Sequence, residues 1–143
     1  EIFKKVYLIR FFSTLGLLVD AGVPLQETIK IISQVIDNEV FKVKTYELKA
    51  SVQTGEKISE NLAKTPFLFP ETASKMIEIG EKSATLGEMS LKVSKQYSSE
   101  VSYALKNLSS VLGPIVIVIV GAFVAIFALA ILSPVFKLTE GVV

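Results

Sequence analysis

The chain has 143 residues, half of them hydrophobic, with 15 basic against 14 acidic side chains and a net charge of +1. Cysteine, histidine and tryptophan are absent, which excludes a disulfide framework, a Cys/His zinc site and any Ser-His or Cys-His nucleophile pair. Residues 1–106 hold fourteen basic and thirteen acidic groups, a balance that argues against a nucleic-acid groove.

About a hundred residues suffice for one small domain with its own core. The chain opens on Glu1, not Met, and so reads as a fragment of something longer. Residues 1–20 place apolar side chains at positions 3, 6, 7, 11, 15, 18 and 19, a helical stripe with Lys4, Lys5 and Arg10 off it. Arg10 interrupts the run, so the segment reads as an amphipathic cytoplasmic helix, with a helix lying on the membrane surface as the rival. Gly22 suits the left-handed position after this helix, and Pro24 suits the first residue of the next one.

The second helix spans 25–36, apolar at 25, 29, 32 and 36, and Asp37-Asn38 closes it. A third, 39–54, is expected to bury Val40, Val43, Leu48 and Val52 before Gly55 stops it. A short fourth helix, 58–64, leads into Thr65-Pro66-Phe67-Leu68-Phe69-Pro70, where two prolines forbid continuous helix and both phenylalanines are expected to plug the core. Pro70 opens the fifth helix, with 73, 76, 77 and Ile79 facing inward and Gly80 ending it. Thr85 and Glu88 fit a capping box that begins the sixth. Its stripe at Tyr97, Val101, Ala104, Leu108 and Val111 suits packing on a neighbouring helix.

Residues 107–136 carry no charge, and 115–132 are eighteen apolar positions in a row. At about 1.5 Å per residue this matches a hydrocarbon slab of about 30 Å. The reading is one transmembrane helix, the rival being a buried core helix. Its distance from the N-terminus separates it from a signal peptide. Lys92, Lys95 and Lys106 precede it and only Lys137 follows, which puts residues 1–106 in the cytoplasm and leaves 137–143 as a short extracytoplasmic tail. The last cytoplasmic helix is expected to run into this span with a kink near Pro114, and Pro134 to end regular helix. The fold class is all-α: an antiparallel bundle of about six helices, the last continuing into the membrane.

Three separated motifs resemble the inner-membrane platform proteins of type II secretion and type IV pilus machines. They are Arg10-Phe11-Phe12 through Leu15, Leu17 and Leu18 to Gly22-Val23-Pro24-Leu25, then Phe69-Pro70 with Ile79-Gly80-Glu81-Lys82-Ser83 and Leu86, then Pro114-Ile115 through Gly121 to Ser133-Pro134-Val135-Phe136. Ala84 stands where the family usually has a second glycine, and Gly113 where a glutamate commonly precedes the proline, so no role of that glutamate carries over. The resemblance implies the C-terminal half of such a protein, with its second helical domain in 1–106. It also implies a scaffold between a cytoplasmic hexameric ATPase and pilin or pseudopilin helices, alongside other inner-membrane assembly proteins and copies of itself. No enzyme activity, cofactor or nucleic acid is implied. A membrane-anchored adaptor or signalling domain is the alternative.

Two sites stand out. Gly121, Ala125 and Ala128 share one side of the membrane helix and suit close helix approach. Glu81 can hydrogen-bond backbone donors at the junction of helices five and six, or ligate a cation with Glu78 or Glu88. Anchoring is the better reading, because a hard cation wants about six oxygens. Gly80-Glu81-Lys82-Ser83 lacks the glycine before lysine and the preceding strand of a phosphate loop.

Overall fold

The computed structural model describes residues 1–142, and among them the regular elements are six helices and no strand. They are α1 (Ile2–Asp20), α2 (Leu25–Val35), α3 (Glu39–Gln53), α4 (Ile58–Ala63), α5 (Glu71–Lys82) and α6 (Leu86–Glu140). The chain divides into two compact units, Glu1–Ser102 and Tyr103–Val143, with α6 contributing to both.

Local chemistry sets the helix ends in the first unit. Gly22 has φ of 81°, and Val23 N–H donates to the Leu18 carbonyl while Gly22 N–H donates to that of Val19, both at 3.0 Å. This double bond pattern satisfies carbonyls that the end of α1 leaves free. Gly55, at φ 88°, closes α3 the same way through bonds to Ser51 and Val52. Asn38 starts α3, its Oδ1 accepting from Phe41 N–H at 3.1 Å. Pro24 and Pro70 sit one position earlier than expected, as N-caps with extended ψ of 141° and 147°. A proline fits there equally well, since its fixed φ suits the cap and its missing N–H lies outside the helix.

Successive helices α1 to α5 pack against their neighbours in chain order. The first turns of α6 return antiparallel along α1. Ser94 Oγ donates to the Ile9 carbonyl at 3.2 Å, and Lys5 Nζ lies 2.9 Å from Glu100 Oε2. The crossing is tight at Gly16, where an added Cβ would lie 2.6 Å from Leu91 Cγ and 2.8 Å from the Gly87 carbonyl oxygen. Only glycine lets the two backbones approach this closely.

The core is aromatic at its centre. Phe69 is fully buried, with ring centroids 4.9 Å from Phe11, 6.0 Å from Phe12 and 5.7 Å from Phe41. Its neighbour Phe67 is 69% exposed, so one phenylalanine of the proline loop plugs the core, and Leu68 joins it in place of the other. Three further inward faces are corrected. In α1, Leu8 and Phe12 join Phe11 and Leu15 inside while Phe3 lies outside. In α3 the buried residues are Phe41, Lys44, Thr45 and Leu48, and Val40 and Val43 face out. In α5, Ala73 and Ile77 are buried but Ile79 is exposed, and Gly80 lies inside the helix against Leu86 and Met89 instead of ending it. In each case apolar residues occupy more than one side, and packing on the aromatic cluster selects the side that is buried.

In α6, Tyr97 is buried and Val101 half-buried, whereas Leu108 and Val111 are exposed, so the expected stripe is covered only in its first turns. Within Tyr103–Val143, helix continues past Pro134 to Glu140, so Lys137–Glu140 of the expected tail is helical. Pro134 costs that helix one backbone bond, since the ring carries no N–H. Val143 lies outside the described residues.

Phe69→Ala is expected to destabilise the bundle by about 3–5 kcal/mol. Phe67→Ala should change stability by less than about 0.5 kcal/mol. Denaturant melts followed by circular dichroism read both values, and equal effects would contradict the assignment of Phe69 as the buried ring.

Candidate functional site

Helix α4 begins at Lys57, whose side chain makes no capping bond. The cap comes instead from α5. Glu81 Oε1 accepts from Ile58 N–H at 2.7 Å, and Oε2 accepts from Ser59 N–H at 3.2 Å and from the Ser59 hydroxyl. A carboxylate at a helix N-terminus satisfies orphan donors and meets the positive end of the helix dipole. The donors to Glu81 belong to the start of α4 and not to the junction of α5 with α6, where the sequence placed them. The correction follows from distance along the chain: the partners lie more than twenty residues away, beyond the reach of local pattern.

The α5–α6 junction is built by the backbone. Thr85 N–H donates to the Gly80 carbonyl at 2.8 Å and Thr85 carbonyl accepts from Met89 N–H at 2.9 Å. Its hydroxyl lies 2.6 Å from Ser83 Oγ, and Glu88 pairs with Lys92 at 2.9 Å, in place of the reciprocal side-chain bonds of a capping box. Ala84 takes φ of 55°, the left-handed conformation that a glycine adopts without steric cost. A glycine would meet this turn without that cost, and this chain meets it with alanine.

The turn at Leu25 and the junction border one open groove of about 620 Å³, which brings together Gly80, Glu81, Thr85 and Glu88. Asp20, from the end of α1, also lines it and stands over Gly87, where an added Cβ would come within 2.5 Å of Asp20 Cγ. Sequence reasoning missed both Gly16 and Gly87; for Gly16, a glycine inside an otherwise apolar stretch of helix is the available signal. Among the described residues no group of three or more potential metal ligands converges. Glu78, Glu81 and Glu88 are turned to different partners, Lys82, the α4 amides and Lys92. Elsewhere in this unit the Glu100 carboxyl is held below its usual range, first by its hydrogen bond to Lys5, and Lys5 is held above its own by the same bond.

In the second unit, Gly121, Ala125 and Ala128 share a side of α6 by helical register, and the space a Gly121 Cβ would fill is open. Pro114 and Pro134 lie inside the helix, leaving the Ser110 and Ala130 carbonyls without their intrahelical donors. Among the described residues α6 is the one helix long and apolar enough to cross a membrane, and none of its most apolar window is buried.

Together these features define an all-helical domain followed by a membrane-length apolar helix. Residues 11–134 match the family of type II secretion system (T2SS) protein F, and the chain belongs to that family. It is similar to the type IV pilus assembly protein PilC of Thermus thermophilus, 32% identical over 135 residues, 94% of this chain and 33% of that protein. The PilC protein of Pseudomonas aeruginosa is 34% identical over 129 residues, 90% of this chain and 34% of its own length. The type II secretion system protein F of Pseudomonas aeruginosa is 29% identical over 131 residues, 92% of this chain and 32% of its own. The chain spans about a third of the length of these curated relatives.

Glu81→Ala is expected to cost about 2–3 kcal/mol, because two backbone amides and a hydroxyl lose a charged acceptor. Chemical denaturation measures it, and undiminished stability would reject the anchoring role. Ala84→Gly should act oppositely, raising stability by about 1 kcal/mol as the left-handed strain is relieved; the same melts report an upward shift of midpoint.

Proposed function

We propose that this chain is a module of the inner-membrane platform of a type IV pilus or type II secretion machine. The observation that carries this reading is the family match over residues 11–134, which takes in both the helical domain and the apolar span. Residues 1–106 form the cytoplasmic domain, 107–136 cross the membrane and 137–143 lie on the far side. The excess of Lys92, Lys95 and Lys106 over Lys137 beside the span supports this orientation.

The role is a scaffold's. The cytoplasmic domain docks a hexameric ATPase, and the span contacts pilin or pseudopilin helices, other inner-membrane assembly proteins and lipid, so that motor movement becomes subunit insertion or extraction. Coupling of this kind needs packed, rigid contacts at both ends and no chemistry within the chain. The Gly121, Ala125 and Ala128 side of α6 is the contact face, because small residues let a second helix approach closely enough to pack. Copies of the chain associate within the platform.

Copurification of the full chain with the assembly ATPase from detergent-solubilised membranes tests the coupling. Recovery of pilin without the ATPase would reject it. Gly121→Leu is expected to leave membrane insertion intact and to reduce fibre formation about tenfold, the size of one lost helix contact. Insertion is read by membrane fractionation and fibre yield by shearing, and undiminished fibres would remove this face from the proposal.

A further inference from the structure

Helix α6 runs unbroken for 55 residues, yet three separate features weaken its backbone within one short stretch, 109–114. Pro114 has no N–H to give the Ser110 carbonyl, and its ring crowds that carbonyl. Gly113, directly before it, has no Cβ to restrict its backbone, and the space around it is open. Ser109 and Ser110 turn their hydroxyls back onto the helix, donating to the Leu105 carbonyl at 3.1 Å and the Asn107 carbonyl at 2.7 Å. Such bonds compete with the backbone ladder and bend helices. No packing holds this stretch straight, because every described residue from Leu105 onward is exposed. Pro134 also costs α6 a bond, but Ser133 stands before it and no glycine lies in its turn.

Position decides what such a weakness does. The eighteen apolar residues 115–132 rise about 27 Å and nearly fill a hydrocarbon slab of about 30 Å, which leaves the Ser110 carbonyl outside it, among the headgroups. Water there hydrates a carbonyl that lipid would leave orphaned, so the ladder opens at little cost. We propose that 109–114 is a joint at the cytoplasmic surface of the membrane, where α6 bends and lets the helical domain turn while the span stays in place. The inference rests on the orientation and the platform role of the proposed function, and it names the point about which the domain moves. Hinges of this kind are a few residues that absorb the backbone change while the parts on either side stay rigid.

Amide residual dipolar couplings of the full chain in lipid bicelles read the joint directly. Residues 95–108 and 115–130 should show two different degrees of alignment, as helical segments that move independently do. Gly113→Ala with Pro114→Ala should bring both to a single degree, and Pro134→Ala should leave the difference in place. Alanine is the better helix former at both positions, so a loss of function in the double variant cannot come from a weakened helix. Fibre yield should fall with the double variant and hold with Pro134→Ala. One common alignment in the unsubstituted chain would overturn the joint, and so would full fibre yield from a chain whose α6 has been straightened. Neither result touches the platform reading. That reading falls if the unsubstituted chain fails to retain the assembly ATPase, while the couplings still decide the joint.

Discussion

The domain depends on Phe69 reaching the rings of Phe11, Phe12 and Phe41. Two prolines four residues apart hold the loop out of helix, and the ring between them is delivered to the centre of the core. Aromatic rings bury large areas and hold each other in tilted and edge-on arrangements, so this cluster contributes both energy and orientation. Because Phe11 and Phe12 come from α1 and Phe41 from α3, one loop residue ties distant segments together. The inward faces of α1 and α3 follow from it.

Around that centre the domain is held by approaches that admit no bulk and by one long-range cap. Gly16 lets α1 and the first turns of α6 touch, and Gly80 sits against Leu86 and Met89 at the α5–α6 turn. Glu81 closes the α4 end with three accepted bonds. The apolar span in α6 is the opposite case: none of its most apolar window is covered by the chain itself, and it requires lipid or other helices.

Much of this was legible in advance where the cause is local. Gly22 and Gly55 ended helices because left-handed backbone favours glycine, and Asn38 began one because its side chain reaches the next free amide. The spacing of Thr85 and Glu88 suits a capping box, but Ser83 and Lys92 take those two side chains. Val40 and Val43 are apolar at helical spacing and on that pattern belong to the core, yet both face out. Phe41, one position on, has the larger ring and the aromatic partners.

The sequence by itself determined the helices, most of their ends and the presence of one membrane-length span, because these depend on residue type and on spacings of a few positions. Only the tertiary structure decided which face of α1, α3 and α5 is buried, which phenylalanine of the proline loop is inside, and which helix Glu81 caps. Those choices depend on partners far along the chain. Where a helix is apolar on two sides, its own pattern holds no preference until another element arrives to cover one of them.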